Sequence, residues 1–176
     1  MTLATARRSR IVIDEGPDIL RIVIPALRPG SGIFLAFFGL WLSFANLAAI
    51  IAALGMVPVE GGYDPGEFAA MTLLFNVIGL PVFLWHLIGR EVVRLDDRTL
   101  SIRLELCGLA WTRTFDPARI GGLHVIPDSL RHAGKPGGPA FLDGDRLRTF
   151  GSRVLEAEAR PIIEAIGRRL AEIRPE

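Results

Sequence analysis

Two long stretches of the chain carry no charged residue. They are bounded by Arg28 and Glu60 in the first case and by Glu67 and Arg90 in the second. Each is longer than the roughly 18 apolar residues at which a membrane-spanning helix becomes the default interpretation. The pattern predicts spanning helices over residues 33–57 and 68–88. A buried helix pair in a soluble bundle is the alternative, but neither stretch has the polar stripe typical of one.

Beyond Arg90 the apolar side chains alternate with polar ones. Leu100, Ile102, Leu104 and Leu106 are separated by single polar residues, which indicates a strand with one buried face. Turn residues separate several similar runs. The predicted strands are residues 10–14, 19–25, 91–95, 100–106, 109–115, 119–126, 140–142 and 146–150. We expect a β-bulge at Gly121-Gly122.

Residues 153–173 have the apolar spacing of an amphipathic helix. Ser152 is positioned to cap this helix, and Pro161 should kink it or begin a new first turn. A two-stranded hairpin is marginal alone, so the strands before the first span should complete the sheet formed by the later strands.

The predicted fold class is therefore an α+β membrane protein. Its transmembrane hairpin of two helices is inserted in a small antiparallel β-sandwich or barrel, which the C-terminal amphipathic helix closes. The expected parts are a cytoplasmic strand hairpin (1–30), the transmembrane hairpin (31–89), and the remainder of the cytoplasmic domain with its helix (90–176).

Charge predicts orientation rather than a nucleic-acid partner. Twenty basic and 19 acidic residues leave a net charge of +1, which creates no overall positive potential that would attract nucleic acid. The loop at residues 58–67 contains acidic residues but no Lys or Arg, so the positive-inside rule places both termini in the cytoplasm. The arginines expected at the membrane surface are Arg7, Arg8, Arg10, Arg28 and Arg90.

Two polar side chains interrupt the spans. Asn46 and Asn76 fall at similar depths in an antiparallel hairpin, so their amides can bond to each other. This pair either locks the hairpin or forms a polar site for a partner or permeant. Ala45, Ala49 and Ala53 allow close approach to the second span or to another copy, which leaves a homo-oligomer open.

Motifs for catalysis or ligand binding are weak. The glycine-rich residues 134–138 have Pro136 where a phosphate-binding loop needs Ser or Thr, so we expect a flexible loop. His124 and His132 lack metal-ligand spacing.

Other reactive residue types have structural interpretations. We expect Cys107 to be a small apolar filler, Asp143-Gly-Asp145 to form a turn, and Trp111 to lie in the core. The sequence therefore predicts no catalytic residue, no cofactor-binding residue and no metal site.

The order of several features resembles bacterial membrane proteins that contain a pleckstrin-homology-like domain. These features are Gly89-Arg90-Glu91 after the second span, the hairpin around Asp96-Asp97, and Phe150-Gly151 leading into Leu155-Glu-Ala-Glu-Ala159. The resemblance implies two orthogonal sheets capped by the last helix, no catalytic residues, and binding of proteins or lipids. Acidic Asp14, Glu15 and Asp18 in the first hairpin loop argue against specific phosphoinositide capture.

We therefore expect a non-enzymatic protein of the bacterial inner membrane that presents its domain to a protein or to the membrane surface. The expected partners are the lipid bilayer and a protein of unknown identity. A small oligomeric subunit of a transporter or channel is the alternative, and a membrane enzyme ranks third.

Overall fold

The computed structural model describes residues 10–27, 31–54, 64–127, 129 and 137–174. Arg7, Arg8, Arg28, His132 and the glycine-rich residues 134–136 lie outside this part of the chain. The helices and strands in chain order are β1 (Val12–Glu15), β2 (Leu20–Pro25), α1 (Gly32–Ala53), α2 (Pro65–Ile88), β3 (Arg90–Leu95), β4 (Leu100–Leu106), β5 (Leu109–Phe115), β6 (Ile120–Ile126), β7 (Gly138–Asp143), β8 (Arg146–Thr149) and α3 (Glu156–Ile173).

Helices α1 and α2 are long and apolar enough to cross a membrane, as predicted. Helix α1 ends at Ala53, and residues 55–57 of the predicted first span lie outside the described residues. Only 11% of each candidate span is buried within the protein, so most of its apolar surface lacks a protein cover. Helix α2 begins at Pro65, earlier than predicted. Asp64 Oδ1 accepts a hydrogen bond from the Gly66 N–H at this end, and proline suits a first helical position because its missing N–H is not needed there.

The two helices approach each other closely at glycines. A Cβ atom at Gly39 would lie 3.2 Å from the Phe83 ring, and one at Gly79 would lie 3.5 Å from the Phe38 ring. Trp41 also meets Phe75 edge-on at a centroid distance of 4.4 Å. Small residues opposite aromatic rings therefore allow the close contact, as is usual for helices packed in lipid.

The described strands form two antiparallel sheets and no closed barrel. One sheet has the order β1-β2-β3-β4-β5, and the other has the order β6-β7-β8. Strand β2 pairs with β3, so the first sheet joins strands from both sides of the helical hairpin. The predicted bulge is confirmed, because the β6–β7 register shifts between Gly121 and His124.

The chain divides into two compact units. The strand domain combines the described parts of Met1–Ala26 and Gly89–Glu176, and the helical hairpin comprises the described parts of Leu27–Ile88.

The core of the strand domain lies between the two sheets and α3. Phe141 of β7 is fully buried, with its ring centroid 5.1 Å from Phe115 and 6.1 Å from Phe150. Helix α3 packs against β2, β6 and β7. It buries side chains at the three- and four-residue spacing of one helix face, namely Ala159, Ile162, Ala165, Ile166 and Leu170.

The expected cap of α3 was wrong, and so was one of the two roles expected for Pro161. Ser152 does not cap the helix, because the residue before its first turn is Leu155, whose N–H donates to Glu158 Oε2 at 3.0 Å. Pro161 lies inside α3 and does not begin a new first turn, whereas the expected kink stays a prediction. Its ring lies on the exposed face, where it costs one backbone hydrogen bond without disturbing the core.

Candidate functional site

The second sheet and α3 cover only part of the inner face of the five-stranded sheet, and the end of β4 and β5 extends beyond them. The register sets Leu104 opposite Trp111 and Leu106 opposite Leu109, on the same face as the buried Leu100. Leu109 is 75% exposed and Trp111 is 68% exposed. The expectation that Trp111 lies in the core was therefore wrong, because neither α3 nor the second sheet covers this end of β4 and β5.

This uncovered end forms one side of a groove, and the edge strand β8 with the segment after it forms the other. We call it the β5–β8 groove, and its volume is about 360 Å³. That volume lies within the range of sites for small ligands or peptide side chains. The lining residues are Glu91, Ile102, Leu104, Trp111, Arg113, Phe115, Leu147, Arg148, Thr149, Phe150, Gly151 and Ser152.

Two guanidinium groups make the groove basic. No hydrogen bond or ion pair joins Arg113 to another residue in the described part of the chain. The Arg148 guanidinium lies 5.9 Å from the centre of the Phe115 ring and 3.6 Å from Asp143 Oδ2, and its Nε has no hydrogen-bond partner. Apolar walls and available N–H donors together favour a ligand that carries both apolar groups and a carboxylate.

Glu91 is the acidic residue of the groove. Its Oε2 accepts a hydrogen bond from the Gly151 N–H at 2.9 Å. Burial raises the pKa of the Glu91 carboxyl above the ordinary 4.5, and the Gly151 hydrogen bond and the charge of Arg113 offset only part of this rise. Glu91 therefore holds a proton to higher pH than an exposed glutamate.

We expect Glu91→Gln to gain stability relative to the native protein as pH rises. A carboxyl whose pKa is raised by folding stabilises the fold fully below its ordinary pKa, and this contribution is lost as pH rises through the raised value. Urea titrations of the full-length protein in detergent over the acidic to neutral range measure this difference.

Glu105→Gln is the matched control for this prediction. The hydrogen bond from Arg90 lowers the pKa of Glu105, so its contribution is present above the ordinary pKa and is lost as pH falls. The two variants should therefore show opposite pH trends. Parallel trends would contradict the assignment of Glu91.

Cys107 lies in the turn between β4 and β5 and is exposed, so its expected role as an apolar filler was wrong. Cys107 has φ 48° and Gly108 has φ 84°, the two left-handed conformations that a tight hairpin turn requires. The Asp143-Gly-Asp145 turn is confirmed between β7 and β8, with Gly144 at φ 60°.

The predicted membrane-surface arginines are not brought together by the described structure. Arg10 donates to Glu158 and to the carbonyls of Pro25 and Arg153, which makes it part of the strand domain's own network. Arg90 donates to Glu105. A membrane-surface role for the five arginines stays a prediction, and Arg7, Arg8 and Arg28 lie outside the described residues.

The two asparagines of the helical hairpin are brought together. Asn46 Nδ2 lies 3.1 Å from Asn76 Oδ1, and Asn76 Nδ2 lies 2.7 Å from Asn46 Oδ1. Each Nδ2 also donates to a carbonyl of its own helix, at Leu42 and Thr72 respectively. Both hydrogens of each amide are thereby used within the hairpin, and this favours a locking role over a site for a permeant.

We expect Asn76→Leu to weaken the packing of α1 against α2 by about 0.5–2 kcal/mol, because the Asn46 amide then loses its partner in an apolar medium. The double change Asn46→Leu with Asn76→Leu should recover part of this loss, since it leaves no unpaired amide. Titration with dodecyl sulfate, followed by helical circular dichroism, measures the effect.

Ser43→Ala is the matched control for the asparagine pair, because Ser43 bonds only to Gly39 in its own helix among the described contacts. It should change little. Strict additivity of the two Asn changes would mean that the amides do not stabilise each other.

The described residues contain no group of three or more His, Cys, Asp or Glu side chains arranged to hold a metal ion. No protein-family model, curated protein or solved structure matches the chain.

Proposed function

We propose that the chain is a non-enzymatic integral protein of the bacterial inner membrane, with both termini cytoplasmic. Its strand domain, of pleckstrin-homology-like type, docks a partner protein at the β5–β8 groove. The observation that carries this proposal is the uncovered apolar face that continues from the core to Trp111, beside two arginines with unused donors.

The shape and charge of the groove support an extended protein segment as the occupant. Strand β5 is the last strand of its sheet, and its residues are exposed except for the half-buried Phe115. An open edge offers backbone donors and acceptors to an added strand. The groove then offers apolar walls to alternate side chains of that segment, and Arg113 and Arg148 offer donors to an acidic residue.

Site-specific photo-crosslinking in native membranes tests the proposal. A benzophenone amino acid at Leu147, which is 52% exposed and lines the groove, should form an adduct with a discrete protein. The same probe at Thr112 should not, because Thr112 is exposed on the opposite face of β5. Equal adducts at both positions would contradict docking at the groove.

Charge reversal then tests the contribution of the guanidinium groups. In the Leu147 probe background, Arg113→Glu should reduce the adduct about tenfold or more, because a charge-assisted hydrogen bond contributes about 1.5–3 kcal/mol. Arg103→Glu is the matched control, since Arg103 lies on the outer face of β4 and its side chain is 46% exposed. Equal losses in both variants would indicate a nonspecific charge effect and would sink the proposal.

The alternative function is a small oligomeric subunit of a transporter or channel. It depends on Asn46 and Asn76 forming part of a polar path. Their reciprocal bonding gives this alternative little support. If the protein keeps its function when both Asn46→Leu and Asn76→Leu are present, this alternative is excluded.

A further inference from the structure

A turn with exposed apolar residues lies at one end of the five-stranded sheet. At this same end the chain passes from β2 toward α1 and returns from α2 into β3. Ala26 N donates to the Gly89 carbonyl oxygen at 2.8 Å, and Gly89 follows the last residue of α2. Arg90 pairs with Glu105, which pairs with Ala110. One step further along these strands, Gly89, Leu106 and Leu109 fall in a single row across the sheet.

The distances along this row are short. Neighbouring strands lie about 4.8 Å apart, so the backbone of Leu109 lies on the order of 10 Å from Gly89. We define the hairpin tip as Leu106, Cys107, Gly108 and Leu109. The tip is therefore tied, through sheet register, to the point at which the chain emerges from an apolar helix of membrane-spanning length.

The composition of the tip is unusual for a turn that faces water. Leu109 is 75% exposed, and its cross-strand neighbour Leu106 is half-buried on the same face. Leucine is typical of segments that enter the boundary between lipid headgroups and acyl chains.

We propose that the hairpin tip inserts into the interfacial layer of the membrane and holds the strand domain against the bilayer. This inference rests on the membrane-spanning role of α1 and α2 and is independent of the partner that the groove binds. Insertion requires no refolding of the tip. The tight turn, with its left-handed residues Cys107 and Gly108, already places Leu106 directly opposite Leu109.

Cys107 is the single cysteine of the chain and gives a direct measurement. The full-length protein, labelled at Cys107 with an environment-sensitive fluorophore, is reconstituted in vesicles of phosphatidylethanolamine and phosphatidylglycerol. Some vesicles also contain a lipid with a shallow doxyl quencher. We expect a blue-shifted emission that the quencher reduces, and loss of this quenching when Leu106 and Leu109 are both replaced by serine.

A cysteine at the opposite end of the sheet is the matched control. The variant Cys107→Asn with Arg98→Cys carries the label in the β3–β4 turn, and asparagine suits the left-handed position it takes. Quenching at position 98 should stay at background. If the protein floats with the vesicles but position 107 is quenched no more than position 98, the inference is overturned.

Two other outcomes would also count against the tip. A blue shift at position 107 that depends on protein concentration and is insensitive to the lipid quencher would indicate a second copy as the occupant. Failure of the whole protein to float with vesicles would overturn both the spanning role and the inference.

Discussion

Replacing Phe141 with alanine is expected to lower the free energy of unfolding of the strand domain by about 3–5 kcal/mol. Phe141 is fully buried, and its ring contacts both Phe115 and Phe150. The loss combines the lost burial of the ring with the cavity that remains. Because domains of this size are typically stable by about 5–15 kcal/mol, this change alone should populate unfolded molecules. Pulse proteolysis of the full-length protein in detergent and urea measures it.

Two variants test the cause of this loss. Phe141→Leu keeps most of the volume and should cost much less than the alanine change. Leu147→Ala on the exposed side of β8 should stay within about 0.5 kcal/mol of the native protein. Similar losses in Phe141→Ala and Leu147→Ala would contradict the position of the core between the two sheets.

The second large effect is expected at Gly151, in the turn before α3. Its φ is +57°, and a Cβ atom there would lie 2.8 Å from Val154 Cγ2. Gly151→Ala should therefore lose about 1–3 kcal/mol through backbone strain, and a comparable further amount through overpacking. The Gly151 N–H also binds Glu91, so the change should disturb the wall of the groove as well. Urea titration measures the stability.

Gly108→Ala separates the two causes. Gly108 has a left-handed φ of 84°, but nothing lies within 4 Å of the position of an added Cβ. The Gly108→Ala change should lower stability only through backbone strain, by about 1–2 kcal/mol. If Gly151→Ala costs no more than Gly108→Ala, the close packing of Val154 against this turn is wrong.

Those parts of the fold that depend on local pattern could be predicted from sequence. The uncharged stretches predicted α1 and α2, and the alternation from Leu100 to Leu106 predicted β4. The depth argument for Asn46 and Asn76 depends only on helical rise, and the structure brings their amides together. Each of these features follows from short-range periodicity.

The groove could not be predicted, because it depends on which surface the other elements leave uncovered. Trp111 occupies an inward-facing position of β5, so the alternating pattern of this strand predicts that Trp111 is a core residue. Its exposure arises because the second sheet ends short of it, and strand spacing alone does not reveal this. One signal was present: Arg113 shares the inward face with Trp111 and Phe115, and an unpaired charge is costly in a closed core.

Residence of α1 and α2 in lipid is the central claim, and extraction of native membranes tests it most directly. After a wash at alkaline pH, the full-length chain should remain with membranes that float on a density gradient, and it should be released only by detergent. Recovery of the intact chain in the supernatant without detergent would contradict the claim, because the apolar surfaces of both helices would then need a protein cover.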